Sequence, residues 1–111
     1  MFNHSKQGAV HVIRGTLPLS GDALDLLDEA LAVCLSEGQP HAVLDLRAVP
    51  LIDSAGLERL LDLRDRFERK AGTLKLAGAN PLCGDILSLT GVATYFEVFP
   101  EVSQAVGSFI Q

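Results

Sequence analysis

The chain has 111 residues, 48% hydrophobic side chains and a net charge of -5, with its basic residues scattered. That length holds one domain with a real core. The absence of any basic run or basic–aromatic interleaving excludes a nucleic-acid surface, and no apolar stretch is long enough for direct membrane insertion.

The polar start, "MFNHSKQG", lacks the apolar region of an export signal, so a cytoplasmic protein is expected. Phe2 to Lys6 reads as a weak strand ahead of a stronger one, "AVHVIRG" (Ala9 to Gly15), which is β-branched and alternating. Pro18 in "TLPL" stops that pattern, because proline cannot donate to a ladder. "SGDALDLLDEALAVCLSEG" places Leu24, Leu27, Leu31, Cys34 and Leu35 on one helical stripe, with acidic first turns and Gly38 as its stop. "AVLDL" (Ala42 to Leu46) is a buried strand.

A second helix is expected from Ser54 to about Lys70, its apolar face built of Leu57, Leu60, Leu61, Leu63 and Phe67. Asp62 with Arg66, and Asp65 with Arg69, stand at ion-pair spacing on the other side. Arg64 falls inside the apolar stripe, its stem expected to lie along the helix surface. Gly72 ends this helix, and "TLKLAG" (Thr73 to Gly78) is a strand with Lys75 toward water. Asn80 then caps a short helix with Pro81 at its first position. Leu82, Ile86 and Leu89 are expected to face inward, and Thr90-Gly91 to close it. "YFEVF" (Tyr95 to Phe99) is the last strand and "PEVSQAVGSFI" a terminal helix. Strands alternating with helices give a single α/β domain.

The chemistry is narrowed mostly by exclusion. Cys34 and Cys83 form no C-x-x-C pair and read as reduced, buried small hydrophobes. None of His4, His11 and His41 is paired at ligand spacing on a helix, so no metal site is expected. A serine nucleophile needs a tight elbow and a base, but "IDSAG" keeps only the trailing glycine. All three histidines precede Ser54, which rules out the α/β-hydrolase order; no catalytic residue and no enzyme activity are expected. "GANPLCGD" holds no phosphate-cradling loop, and no cofactor is expected. Asp45 and Asp53 both fall near the C-terminal edge of the sheet, where α/β proteins place their sites. The simpler roles are loop pairing for Asp45 and helix capping for Asp53. Ser54, on its own, is either a cap or a modification acceptor.

Two stretches carry more. "AVLDLRAVPLIDSAGLERLL" and "KAGTLKLAGANPLCGDILSLTGVATYFEVFP" resemble the STAS domain, the fold of bacterial anti-sigma factor antagonists and of the cytoplasmic tails of sulfate transporters. The motifs fall in order: a strand ending Leu-Asp-Leu, Ile-Asp-Ser-x-Gly-Leu, Lys-x-Gly before a strand, and Leu-Thr-Gly before an aromatic-rich strand. The match runs from about Ala9 to Ile110, making residues 1–111 one STAS domain.

The resemblance implies a mixed, mostly parallel sheet of about five strands with about four helices. It implies that Ser54 is phosphorylated by an anti-sigma factor that is itself a serine kinase. The unphosphorylated antagonist would sequester that kinase, and a PP2C-type phosphatase would reset it. The partner-binding surface would then centre on Asp53, Ser54 and Leu57, with Ala55 and Gly56 as small exposed residues and Glu58 and Asp62 extending it. Self-association stays open. Ala55 stands where the family often has a second serine, and Gly15-Thr16-Leu17-Pro18 where antagonists commonly carry Gly-Glu-Leu-Asp. The same resemblance admits an adaptor subunit on the ATPase of a lipid-transport complex, or a stressosome-like scaffold, without phosphorylation.

Overall fold

Among the described residues five strands form: β1 (Phe2–Gln7), β2 (Val10–Gly15), β3 (His41–Asp45), β4 (Thr73–Ala77) and β5 (Val98–Phe99). The structure, a computed structural model, describes residues 1–110. The strands lie in chain order in one sheet, with β1 antiparallel to β2 and every later pair parallel. Parallel neighbours need a crossover, and each crossover carries a helix: α1 (Ala23–Leu35), α2 (Ser54–Arg69) and α3 (Pro81–Leu89). A fourth helix, α4 (Val102–Ser108), follows β5. The expected single α/β domain with a mixed, mostly parallel sheet is the fold that forms.

Strand alternation divides the core into two layers. Ile13, Ala42, Leu44, Leu74 and Leu76 pack with Leu24, Leu27 and Leu31 of α1 and Leu57, Leu60, Leu63 and Phe67 of α2. Val10, Val43 and Ala77 pack instead with Ala105, beside Phe99, Val102, Val106 and Phe109. The sheet is therefore covered on both faces.

That second cover corrects the reading of Lys75, which is buried rather than turned to water. Its Nζ donates to Ser108 Oγ at 2.6 Å, pairs with Glu97 at 2.8 Å and sits 4.1 Å from the centre of the Phe109 ring. An amine this enclosed needs such partners. The last strand is shorter than expected: Val92–Tyr95 is a 3-10 turn, and only Val98 and Phe99 pair with β4. In α3 the buried residues are Cys83 and Leu87, whereas Leu82 and Leu89 are exposed and Ile86 is half-buried.

Two helix ends also differ from expectation. Gln39 (φ 61) and Ala71 (φ 56), not Gly38 and Gly72, take the left-handed turns. Gly72 is needed for a different reason, since a Cβ there would lie 2.2 Å from the Pro40 carbonyl oxygen.

The ion pairs of α2 also re-sort. Among the described residues Asp62–Arg66 and Asp65–Arg69 do not pair; Arg64 instead reaches Glu68 at 2.7 Å. Arg64 also donates to the Tyr95 carbonyl and lies over the Tyr95 ring, tying α2 to the 3-10 turn. Both cysteines are free and buried, as expected. Burial pushes the Cys34 thiol up to about 11, with Glu37 adding to the effect.

Candidate functional site at the mouth of the second helix

The chain leaves β3 at Asp45 and reaches α2 through residues 46–53, across the C-terminal edge of the parallel strands. This loop is held from three sides. Leu46 N–H donates to Ala77 O at 2.9 Å, and Val49 O accepts from Asn80 Nδ2 at 2.7 Å and from the Cys83 thiol at 3.3 Å. On the third side Leu19 forms a parallel bridge with Ile52; Leu19 N–H donates to Leu51 O and Asp53 N–H to Leu19 O.

Asp45 is buried and occupied. It accepts from the Arg47 backbone N–H at 3.1 Å and from the Arg47 guanidinium at 3.3 and 3.2 Å. The carboxylate in turn raises the Arg47 pKa above its ordinary value, through the hydrogen bond first and charge second. The simpler reading of Asp45 as a loop anchor therefore holds, with a side-chain partner added. Gly78, at φ +72, makes room: a Cβ there would lie 2.5 Å from Arg47 Cγ and 3.0 Å from Asp45 Oδ1.

At the helix mouth, Asp53 is extended (φ -93, ψ -177) and its Oδ1 accepts from Gly56 N–H at 2.8 Å. Its carbonyl accepts from Leu57 N–H at 2.9 Å. The capping role thus belongs to Asp53. Ser54 is the first helical residue, exposed, and among the described residues its hydroxyl makes no hydrogen bond. The backbone N–H groups of Ser54 and Ala55 likewise have no protein acceptor among the described residues. These are orphan donors of a helix start, at the positive end of its dipole.

The expected partner-binding residues separate into two sets. Asp53, Ser54, Ala55, Glu58 and Asp62 are exposed. Gly56 and Leu57 are buried, which corrects the expectation that Gly56 is a small exposed residue. A Cβ on Gly56 would lie 2.1 Å from Leu19 O, so Gly56 lets α2 close onto the Leu19–Ile52 bridge. Leu57 anchors the first turn in the core.

No histidine belongs to this mouth. His11 lies near the N-terminal end of β2 and His41 opens β3, at the other edge of the parallel strands. What the mouth can do chemically is present a free hydroxyl beside unsatisfied amides. Asn80 and Arg59 lie outside the expected partner-binding set, yet both position it. Arg59 Nη1 donates to Leu24 O at 3.1 Å and to Asp28 at 2.6 Å, which locks α2 against α1. An arginine amid a leucine repeat carries no sequence signal of such a role.

The fold class is an α/β module with both sheet faces covered and a polar helix mouth at the strand ends. The chain belongs to the STAS domain family, which it matches over residues 2–105. Among curated proteins none matches. Among solved structures, an anti-sigma factor antagonist from Mycobacterium paratuberculosis is similar with a TM-score of 0.88 at 20% identity, covering 100% of this chain and 94% of that one. The anti-sigma factor antagonist SpoIIAA in its unphosphorylated form gives a TM-score of 0.79 at 15% identity, covering 98% and 96%. Part of the murine anion transporter Slc26a9 gives 0.79 at 20% identity, covering 92% of this chain and 18% of the transporter. At these identities the likeness is one of fold. No helix among the described residues is long and apolar enough to cross a membrane.

Proposed function

We propose that this chain is an anti-sigma factor antagonist that binds a serine kinase when unphosphorylated and is released by phosphate on Ser54. The observation that carries the reading is the division of labour at the helix mouth. Asp53 satisfies the cap, so the Ser54 hydroxyl is exposed and uncommitted. A phosphoryl group there would meet the free amides of Ser54 and Ala55, a favourable setting for an anion. A PP2C-type phosphatase would restore the hydroxyl, and the setting would be the cytoplasm. The antagonist structures of the same fold support the assignment.

The test is phosphate transfer. Co-purification from the native cell identifies the kinase, which is then supplied with labelled ATP and either the wild-type chain or Ser54→Ala. Label is expected on wild type and absent from Ser54→Ala; equal incorporation into both rejects Ser54 as the acceptor.

A second reading rests on Pro18, which stands half-buried where the antagonist branch commonly has an aspartate. An adaptor on a transporter ATPase would need neither that carboxylate nor phosphate on Ser54. A transporter ATPase recovered in place of a kinase, with no label on Ser54, would favour it.

A further inference from the structure

We propose that His4, His11 and Cys34 form a site for a borderline-soft divalent transition metal, zinc foremost, at the sheet edge away from Ser54. The fold brings the three together from three elements. In the antiparallel pair, His4 lies opposite Ile13 and His11 opposite Lys6, so His4 and His11 are diagonal neighbours on one face, within reach of long side chains. A crossover helix runs back along the strands it joins, so the end of α1 lays Cys34 over the same place. One donor atom from each residue lies within 4.8 Å of the other two.

The polar atoms are already arranged for ligation. His4 Nε2 is 2.7 Å from His11 Nδ1, and His11 Nε2 is 2.7 Å from Glu37 Oε2. An ionised carboxylate only accepts, so His11 carries its proton on Nε2 and turns the Nδ1 lone pair toward His4. A carboxylate holding the far nitrogen of an imidazole is the usual outer support of a histidine ligand. Lys6 stands 3.6 Å from Glu37 and balances that carboxylate when the metal is absent.

Zn–N and Zn–S lengths place tetrahedral donors ~3.3–3.6 Å apart. Binding therefore needs the two imidazoles to part by under ~1 Å and Cys34 to close by at most ~1.5 Å, small side-chain adjustments against those lengths. His4 moves its remaining proton to Nδ1, the Cys34 thiol proton leaves to solvent, and the His4–His11 hydrogen bond is replaced by two metal bonds. One thiolate and two imidazoles favour zinc or copper over magnesium or calcium. Exposed His4 gives the ion an entry, while buried His11 and Cys34 give it a dry wall.

Tag-free, reduced, metal-stripped protein is titrated with Co2+ and then Zn2+. Wild type is expected to bind Co2+ with a thiolate-to-cobalt charge-transfer band that equimolar Zn2+ erases. Cys34→Ser should lose the band and Cys83→Ser should keep it. Cys34 is a core residue, so the exposed His4→Asn provides a variant expected to fold. Glu37→Gln should weaken Zn2+ binding about 10- to 100-fold, and His4→Asn at least as much. No cobalt band in wild type, unchanged Zn2+ affinity in His4→Asn, or a band lost in folded Cys83→Ser would each overturn the site. The first of these would leave His4, His11 and Glu37 a hydrogen-bonded strap joining β1, β2 and the turn after α1. Phosphate transfer to Ser54 is read separately, so the two proposals fail independently.

Discussion

Gly56 decides where Ser54 sits, although in the proposed switch Ser54 is the residue that a partner would meet. Glycine inside a helix ordinarily costs about 0.5–1 kcal/mol relative to alanine, so Gly56→Ala would stabilise an isolated α2. In the fold the sign reverses. The new Cβ would lie 2.1 Å from the Leu19 carbonyl oxygen and 3.0 Å from Ile52 Cγ2, and the first of these is backbone already holding the Asp53 N–H. Relieving it means lifting the first turn of α2 off the Leu19–Ile52 bridge. Gly56→Ala is expected to lose about 1–3 kcal/mol net, as overpacked sites do, read as a lower urea midpoint at unchanged slope. A midpoint at or above wild type would show that the bridge yields easily.

Among the elements, α3 does more than fill its crossover. Its cap, Asn80, accepts from Cys83 N–H at 3.0 Å and donates from its amide to Val49 O at 2.7 Å, so one side chain starts α3 and fixes the loop leading to Ser54. Asn80→Ala removes both. The cap is worth about 0.5–2 kcal/mol and the loop bond about 0.5–1.5 kcal/mol, so a loss near 2 kcal/mol is expected in chemical denaturation. Asn80→Asp keeps the accepting oxygen and lacks the donor, and should fall between wild type and Asn80→Ala. If Asp and Ala destabilised equally, capping would not contribute and the loop bond alone would carry the effect. The same tether explains the orientation of α3. With Asn80 and Cys83 both turned to Val49, Cys83 and Leu87 face the core, and Leu82 and Leu89 are left outside.

For the molecule as a whole, the proposed phosphorylation of Ser54 is expected to change an interface and leave the fold unchanged. A phosphoserine adds roughly -1.5 to -2 charges at neutral pH. At the mouth of α2 the dipole favours that charge by about 0.3–1 kcal/mol, partly offset by the neighbouring Asp53. Neither term threatens a domain whose sheet is packed on both faces. A partner docked against a neutral hydroxyl is in a different position, because it must now desolvate a doubly charged group. Losing even one desolvated contact there costs several kcal/mol, about a hundredfold or more in affinity. Ser54→Asp is therefore expected to keep native circular dichroism and a melting temperature near wild type while losing the kinase partner. Partner binding by Ser54→Asp and by the phosphorylated protein at wild-type strength would sink the switch.

Sequence by itself determined what depends on near neighbours in the chain. The leucine spacing of α1 and α2, the β-branched strands, the caps at Asp53 and Asn80 and the motif around Ser54 are all local patterns, and they sufficed for the α/β class and the STAS resemblance. Tertiary structure alone decided what depends on which surfaces meet. Period-two alternation places Lys75 opposite Leu74 and Leu76 but is silent on whether its own face is covered, and α4 covers it. Chain pairing set the left-handed turns at Gln39 and Ala71, and reserved Gly72 for the approach of Pro40. His4, His11, Cys34 and Glu37 show no spacing motif because they converge from β1, β2, α1 and the turn after it, with 7 and 26 residues separating the bonded pairs. Long-range contacts of this kind follow from packing the hydrophobic faces. No local pattern encodes them.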